Sequence, residues 1–420
     1  MWGLGSEGRS AVARLRVMGV DPVVVDDRPG EVGDIEVVAT DAGGLEALAA
    51  VDVVVKTPGL SRYRDDVAQL EAKGIPVVGG LGLWLAEADL SRVACVTGTK
   101  GKSTTVTILA HLATGLGRRV FAGGNLGSPP YDPAVSDDYD LFVIETSSYQ
   151  AADVAVSPPV VAVTSLHPDH IPWHVTVENY YRDKLSLCTQ PGARTTVAAG
   201  TDAGLRSRAD QLGPDVQWVD PDTWGRTWAA DLGLKGTHNL VNAGIARSCL
   251  VALGIDEAAE PNIAEVCGGF EHLESRLEPV ATVDGVDFVD DSLSTNVLST
   301  LAAVEAFPGR PVVLIAGGLD RGIDFEELAE GLAERNTPTL VLTAYQTGPA
   351  IHEAMVRHAT PNLTSVACES LDEAMEVAWP WAKERTAVVL LSPAAASFDA
   401  FDDYRHRARV FREAVARVSR

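Results

Sequence analysis

A glycine-rich turn with a lysine and hydroxyl side chains occupies residues 97–104, and it limits the folds that this chain can adopt. The segment reads TGTKGKST, follows the apolar run at 93–96 and precedes a helical pattern from 104 to about 116. A strand, a glycine turn and a helix N-terminus in this order bind nucleotide phosphates, because backbone N–H groups and the helix dipole face the anion. Lys102 can reach the outer phosphates, and Ser103 can join a Mg²⁺ shell. The segment therefore predicts ATP binding.

The size and composition of the chain are typical of a globular enzyme with several domains. It has 420 residues, of which 46% are hydrophobic and 22% are charged. Its net charge of −24 argues against a nucleic-acid or anionic-membrane partner, since both require a cationic face. Five widely spaced cysteines form no CxxC pair and indicate reduced, mostly buried thiols, and we find no signal sequence or membrane span. We expect a cytoplasmic monomer that acts on small molecules.

Alternating strand and helix signals run through the chain and predict the α/β class with three domains. We expect a Rossmann-like N-terminal domain, a central P-loop ATPase-type domain and a Rossmann-like C-terminal domain that binds the incoming substrate and closes on ATP. Their predicted bounds are 1–90, 91–271 and 272–420. In the third domain, apolar runs predict parallel strands that are covered on both faces. These runs lie at 311–316, 339–343 and 387–392.

The glycine turn GLGSEG at 3–8 permits two interpretations. It precedes a helical stretch, and a strand that ends at Asp26 and Asp27 follows, as in half of a dinucleotide-binding fold. The spacing from Gly8 to Asp26 would also fit an NAD-dependent dehydrogenase. The phosphate loop farther along the chain favours a first domain that holds a nucleotide-carrying substrate.

Carboxylate, histidine and amide side chains follow the phosphate loop. Glu145 ends the apolar strand at 141–145, at the edge of a sheet where a Mg²⁺ ligand is expected. The segment HPDHIPWH at 167–174 could indicate zinc, but carboxylates and phosphates in one domain favour magnesium with a histidine beside it. Asn239 and Asn242 share one helical face, where they either bind a nucleotide or serve as helix caps and core amides.

Seven segments, taken in order, resemble those of the Mur ligases, the ATP-dependent enzymes that add amino acids to the peptidoglycan precursor. They read GTKGKST, ETSSYQ, HPDH, YYRDK, GTHNLVNA, SRLE and DDSLSTN, and LSPAAASFD at 391–399 is similar to the glutamate-adding members. The resemblance extends over nearly the whole chain. It implies an ADP-forming ligase that adds glutamate to UDP-N-acetylmuramoyl-L-alanine through an acyl phosphate, with ATP and Mg²⁺.

The resemblance also implies roles for the residues at matching positions. The catalytic residues would be Lys102, Glu145, His170 and Lys184. The metal ligands would be Ser103, Glu145, His170 and Lys184, the last as a carbamylated lysine. The ATP contacts would be Gly98, Thr99, Lys100, Gly101, Lys102, Ser103, Thr104, Asn239, Asn242, Arg276 and Asp291, with Asp320 nearby. The UDP-sugar contacts would be Gly5, Ser6, Asp26, Thr57, Gly59 and Asn125. The contacts of the incoming amino acid would be Thr295, Arg321, Ser397 and Tyr404.

Two positions depart from the pattern of this family. Lys100 stands where many relatives have asparagine, which adds a positive charge beside the phosphates. Leu293 stands where the usual D-glutamate ligases have a lysine that pairs with the acceptor's carboxylate, and leucine offers no donor. This difference favours a branch that adds L-glutamate, with D-glutamate as the alternative.

Two further classes of function compete with this interpretation. A ligase similar to folylpolyglutamate synthase would use the same ATP site, but its first domain would not be a UDP-binding half-Rossmann fold. A non-catalytic ATP-binding module would not need Glu145, His170 and Lys184 together.

Overall fold

Strands and helices alternate along the described chain, which confirms the predicted α/β class. The computed structural model describes residues 1–28, 30–125, 127–221, 227–234, 236–271 and 273–418. It divides into two units, of which the first comprises Met1–Gly233 and Asn239–Phe270 and the second Leu234–His238 and Glu271–Arg420. Within the described ranges, no helix has the length and apolar character to cross a membrane.

The first unit begins with a small sheet that the first three residues complete. Trp2 forms parallel bridges to Val25 and to Lys56, so this short segment takes the place of a first strand between β1 and β4. The strands pair in the orders β2-β3-β1 and β4-β5. The strands are β1 (Val24–Asp26), β2 (Gly30–Val32), β3 (Ile35–Ala39), β4 (Val54–Lys56) and β5 (Val77–Gly79), and the helices are α1 (Ser6–Val17), α2 (Leu45–Leu48), α3 (Asp65–Ala72) and α4 (Gly80–Glu87).

A six-stranded parallel sheet with the order β11-β10-β9-β6-β8-β7 is the second sheet of this unit. Its strands are β6 (Val93–Thr97), β7 (Val120–Gly124), β8 (Leu141–Glu145), β9 (Val160–Val163), β10 (Thr195–Ala199) and β11 (Asp215–Val219). Every residue of β6, β8 and β9 is buried, as expected for a parallel sheet covered on both faces. The helices that follow β6 are α5 (Lys102–Gly115), α6 (Ser148–Ala151), α7 (Ile171–His174), α8 (Val177–Leu185), α9 (Ala203–Arg206), α10 (Thr237–Ala252) and α11 (Glu260–Val266).

The second unit has a six-stranded sheet with the order β12-β13-β17-β14-β15-β16, in which β12 is antiparallel. Its strands are β12 (Glu278–Val283), β13 (Val286–Asp290), β14 (Val312–Ala316), β15 (Thr339–Thr343), β16 (Leu363–Ala367) and β17 (Val388–Leu391). Its helices are α12 (Val297–Glu305), α13 (Glu326–Ala333), α14 (Gly348–Arg357), α15 (Leu371–Arg385) and α16 (Tyr404–Val418). Leu314 and Ile315 of β14 belong to different core clusters, so both faces of the sheet are covered.

The three strands predicted in the C-terminal part are confirmed to within one residue at each end. The predicted domain bounds remain predictions. The bound between 90 and 91 falls inside the first unit, between its two sheets. His272, where the third predicted domain begins, lies outside the described residues.

Candidate active site

The phosphate loop turns at two glycines between β6 and α5. Gly98 and Gly101 have φ values of +138° and +88°, in a region that glycine adopts without the strain of a side chain. A Cβ atom on Gly98 would lie 2.1 Å from Thr164 Oγ1, so the loop packs closely against the end of β9. Lys100 N donates to Ser165 Oγ at 2.8 Å. The neighbouring strand therefore fixes the loop in front of the N-terminus of α5, where a helix attracts phosphate.

Two lysine side chains lie on carbonyl oxygens of this loop. Lys102 Nζ donates to Gly98 O at 3.0 Å and to Thr99 O at 3.1 Å. Lys184 Nζ donates to Gly98 O at 2.8 Å. Burial lowers the pKa of Lys184 well below its usual value, and the positive charge of Lys102 adds to this effect. A buried amine whose pKa is depressed is more often neutral, and a neutral amine is a nucleophile.

Glu145, at the end of β8, has one carboxylate oxygen that could bind a metal. Its Oε1 accepts a hydrogen bond from Asn125 Nδ2 at 2.6 Å. Its Oε2 is buried and has no hydrogen-bond partner among the described residues. Such an oxygen is costly unless something binds it, and beside a phosphate loop it fits a hard cation such as Mg²⁺. Within the described ranges, no three His, Cys, Asp or Glu side chains are grouped as a ready-made metal site.

The three histidines of the segment at 167–174 have different surroundings. His167 Nε2 lies 3.3 Å from Asp202. His170 has a left-handed backbone with φ of 55° and a half-exposed side chain, and its ring centroid lies 5.0 Å from that of Tyr149. Partial burial lowers the pKa of His170, and the nearby lysines reinforce this effect. His167 and His170 are both partly exposed, and the role of His170 as a metal ligand remains a prediction.

His174 belongs to a buried set of hydrogen bonds that the sequence did not predict. Its Nε2 lies 2.9 Å from Ser148 Oγ, and its Nδ1 lies 2.8 Å from Asp183 Oδ2. The hydroxyl of Tyr63, which lies between β4 and α3, donates to the same carboxylate at 2.8 Å. Asp183 immediately precedes Lys184 on α8, so this set fixes the helix that presents the buried lysine. The sequence showed an acidic residue next to a lysine and a histidine in the segment at 167–174, but no sign that the two meet.

The asparagines of α10 lie next to the phosphate loop. Asn242 Nδ2 donates to Asn239 Oδ1 at 3.1 Å, and both side chains are buried. A Cβ atom on Gly101 would lie 2.7 Å from Asn242 Oδ1. The structure therefore brings these two amides to the loop, as a nucleotide site requires, while their contacts with a nucleotide remain a prediction.

Three of the six residues predicted to hold the UDP-sugar, Asp26, Thr57 and Gly59, lie at the carboxyl ends of β1 and β4. Asp26 Oδ2 accepts from Leu4 N at 2.7 Å, and a Cβ atom on Gly3 would lie 2.1 Å from Thr57 Oγ1. Gly5 caps α1, where Ser6 begins the helix, and both are exposed together with Gly59. This is the crevice where open α/β sheets bind ligands. Asn125 differs, because its amide contacts Glu145.

Buried polar contacts join the two sheets of the first unit. Lys56, at the end of β4, pairs with Asp153, and the two side chains are 0% and 2% exposed. Burial lowers the pKa of Lys56 and raises that of Asp153, while each opposes the shift of the other. Glu7 on α1 accepts from Gln150 Nε2 at 3.0 Å. Gln150 also forms a capping box with Ser147 at the start of α6, two residues after Glu145.

In the second unit, the predicted acceptor contacts lie on loops that follow β13, β14 and β17, three adjacent strands. Hydrogen bonds join these loops, from Ala394 N to Ser294 O at 3.0 Å and from Leu319 N to Ala396 O at 2.8 Å. The loops bring Thr295, Arg321 and Ser397 to one edge of the sheet, and Tyr404 begins α16. Arg321 lies over the exposed ring of Phe398, 6.0 Å from its centroid.

Asp291 is buried between two of these loops. Its Oδ1 accepts from Leu277 N at 3.1 Å, and its Oδ2 accepts from Ser392 Oγ at 2.7 Å. Burial raises the pKa of Asp291 to about 6. Arg276 acts on the same carboxyl through its charge. Asp320 is exposed, and its Oδ1 accepts from Gly322 N at 2.8 Å.

Comparison with known protein families shows two matches in this chain. The Mur ligase middle domain matches residues 96–217, and the domain described as "Mur ligase, glutamate ligase domain" matches residues 275–395. The first region contains the phosphate loop, Glu145, His170 and Lys184. The second contains the loops that follow β13 and β14.

Similar proteins cover nearly the whole chain. A relative from a Micromonospora species, named UDP-N-acetylmuramoyl-L-alanine–L-glutamate ligase, is 38% identical over 99% of this chain and 95% of its own. A protein of the same name from Xanthomonas axonopodis pv. citri is 35% identical over 98% and 93%. Among solved structures, the UDP-N-acetylmuramate-alanine ligase of Thermotoga maritima has a TM-score of 0.59 at 18% identity, covering 99% of this chain and 98% of that one.

The fold, the phosphate loop and these matches define a ligase that uses a nucleotide. The chain belongs to the Mur ligase family and is an ATP-dependent amide-forming ligase. Its α/β fold agrees with the solved structures of that family, which at these identities support the fold alone.

Proposed function

We propose that this chain joins glutamate to UDP-N-acetylmuramoyl-L-alanine, and that the acceptor amino acid is L-glutamate. One observation supports catalysis at this site: a buried lysine and a buried carboxylate lie beside the phosphate loop. The Lys184 amine donates to the loop and interacts with the charge of Glu145. Glu145 Oε2 has no hydrogen-bond partner among the described residues. The names of relatives at 34–38% identity, each over at least 98% of this chain, support the choice of substrates.

The chemistry takes two steps. A carboxylate oxygen of the alanyl group attacks the γ-phosphorus of ATP, the bond to the β–γ bridging oxygen breaks, and ADP leaves. The amine of glutamate then attacks the acyl carbon, the carbon–oxygen bond to phosphate breaks, and the amine proton passes to solvent. Both steps bring anions together, so the site must supply positive charge where negative charge develops.

The phosphate loop would supply much of that charge. The backbone N–H groups at the start of α5 and the ammonium of Lys102 would hold the β- and γ-phosphates. Ser103, Glu145 and His170 would hold Mg²⁺, which when bound neutralises phosphate charge. Asn239 and Asn242 would position the nucleoside part of ATP.

Lys184 would complete the metal site as a carbamate. Its neutral amine would attack CO₂, forming a nitrogen–carbon bond while one carbon–oxygen electron pair moves to oxygen and a proton is released. The product is an anionic oxygen ligand, and the depressed pKa of Lys184 favours the neutral amine that this step needs. The hydrogen bonds of Asp183 with His174 and Tyr63 would hold α8 so that the group stays beside Gly98.

Leu293 supports L-glutamate as the acceptor. It is half-buried on the loop that carries Thr295, and its side chain has no donor for a carboxylate. Thr295, Arg321, Ser397 and Tyr404 would contact the amino acid instead. The proposed domain roles follow: residues 1–90 hold the UDP-sugar, 91–271 hold ATP, and 272–420 hold glutamate.

The test is phosphate release with ATP, Mg²⁺ and UDP-N-acetylmuramoyl-L-alanine, run in parallel with L-glutamate and D-glutamate. We expect the wild type to turn over with L-glutamate. The variant Glu145→Gln should show no turnover, while the exposed control Glu257→Gln should keep the wild-type rate. Turnover with D-glutamate alone would overturn the assignment of the acceptor. Turnover only with a reduced folate and glutamate would replace the whole proposal by a folylpolyglutamate activity.

A further inference from the structure

A buried guanidinium joins the three loops at the carboxyl edge of the second unit's sheet. Arg407, on α16, is 1% exposed. Its Nη2 donates to Ser292 O at 2.9 Å and to Ala395 O at 3.2 Å, and its Nη1 donates to Ala395 O at 3.2 Å. A Cβ atom on Gly318 would lie 3.2 Å from Nη1. Arg407 therefore lies directly beneath the loops that follow β13, β17 and β14.

Among the described residues, no carboxylate contacts the guanidinium of Arg407. Its hydrogen bonds go to carbonyl oxygens, and its Nε has no acceptor among the residues that the structure describes. Asp399 and Asp290 act on it through their charges only. Burial lowers the pKa of Arg407 to about 10, which leaves it protonated at neutral pH.

Such an arrangement is costly for a purely structural clamp. Burying an ion costs several kcal/mol unless an opposite charge compensates it, and carbonyl dipoles compensate only in part. Neutral donors could hold the same two carbonyl groups without this cost. The loops above Arg407 carry Leu293, which has no charge, and Arg321, which is exposed and therefore screened by solvent. Arg407 is thus a fixed positive charge beneath these loops, on which Asp399 and Asp290 act without contact.

We propose that Arg407 is a positioning residue that selects an acidic amino acid as acceptor, and this rests on the function proposed above. Its charge raises the electrostatic potential at the loops, and its hydrogen bonds to Ser292 O and Ala395 O fix the loops that carry Thr295 and Ser397. It makes no direct contact with the amino acid. Glutamate brings a side-chain carboxylate that this potential attracts, whereas a neutral amino acid of similar size does not.

The experiment measures KM for glutamate, ATP and the UDP-sugar substrate in Arg407→Met and Arg407→Lys. Arg407→Met should raise KM for glutamate about 10-fold, because it removes a charge that attracts the carboxylate of the acceptor through space. KM for the other two substrates should stay within about 2-fold. Arg407→Lys keeps the charge and should stay within about 3-fold of the wild type for glutamate. Leu293→Lys in the Arg407→Met background should restore much of the lost affinity.

Arg417→Met is the matched control, since it removes an exposed arginine from the same helix, where it pairs with Asp372. It should leave all three KM values unchanged. Equal loss of kcat in both Arg407 variants with an unchanged glutamate KM would overturn the proposal, as would a common rise of all three KM values. No turnover by the wild type would instead refute the proposed function.

Should Arg407→Met fail to fold, Leu293→Lys in the native background decides the question. With Arg407 already supplying charge, the added lysine should change KM for glutamate less than about 3-fold. A 10-fold fall would mean that the loops had no effective positive charge, and the proposal would be wrong.

Discussion

Asp291→Asn should stabilise the second unit while it impairs catalysis. Burial raises the pKa of this carboxyl from 3.8 to about 6. At neutral pH the carboxyl is ionised, and its charge in a buried site therefore lowers the stability of the folded chain. A shift of about two units corresponds to about 3 kcal/mol. The asparagine oxygen can still accept from Leu277 N, and the hydroxyl of Ser392 can rotate to accept from the amide. We therefore expect a gain of about 1–3 kcal/mol at pH 7.5.

The dependence on pH identifies the cause of this gain. A carboxyl whose folded pKa is raised binds its proton more tightly in the folded state, so wild-type stability falls as pH rises from about 4 to about 6. Below that window the group is protonated in both states, and above it the difference is constant. The advantage of Asp291→Asn should therefore be about half as large at pH 5 as at pH 7.5.

Native-state hydrogen exchange on peptides from β13 and β17 measures this change within the second unit. Asp372→Asn removes an exposed carboxylate from the same unit and should change stability by less than about 0.5 kcal/mol. Turnover of Asp291→Asn should fall, since Asp291 is a proposed nucleotide contact. A destabilised variant, or a gain that does not vary with pH, would show that the ionised carboxylate stabilises the fold and would refute the reasoning.

Three further predictions concern the first unit. Lys184→Met should abolish turnover, yet it should raise the free energy of unfolding in CO₂-free buffer at pH 7, because the wild type must deprotonate a buried amine in order to fold. A denaturant titration measures this gain in stability. The absence of a gain, or a gain that does not shrink toward pH 10, would contradict the prediction. Gly98→Ala should lower the affinity for ATP at least about 10-fold, because the added Cβ meets Thr164 Oγ1. The control Gly117→Ala has open space around the added Cβ at φ +82°, so it should cost about 1 kcal/mol of stability and leave ATP binding intact. Titration calorimetry with ATP measures both affinities. Lys56→Met leaves Asp153 buried without its ammonium partner and should lower the free energy of unfolding by about 3–5 kcal/mol in a denaturant titration. A loss below about 1 kcal/mol would mean that Arg62 alone compensates the charge of Asp153.

Local patterns in the sequence were enough to predict several of the strands and the phosphate loop. The run that ends at Glu145 is apolar throughout and became β8, because a strand covered on both faces needs no alternation. The strand β9 ends at Val163, directly before Thr164. Thr164 leaves the strand because its hydroxyl donates to Thr97 O and Lys100 O on the loop. These hydrogen bonds join segments that are distant in the sequence, so no local pattern predicts where the strand ends.

The parts of the site that were missed depend on distant residues meeting. Tyr63, Ser148, His174 and Asp183 come from four segments, and no one segment predicts the hydrogen bonds that join them. The role of Arg407 was equally hidden, since arginine is mostly exposed and the spacing of α16 does not show that this one is fully buried. The contact of Asn125 with Glu145 is of the same kind, because only the pairing of β7 with β8 brings them together.

The central position of β6 also determines when nucleotide binding can first appear as the chain folds. Cys95 pairs with Ile144 on one side and with Val161 on the other, residues 49 and 66 positions later in the sequence. Parallel pairs at such separations close long loops before they gain contacts, so they form slowly. The loop between β6 and α5 is local and can turn early, but Glu145 and Thr164 reach it only after both pairs exist. Affinity for ATP during refolding would therefore report the completed sheet, and the nucleotide could not act as a template for its earliest steps.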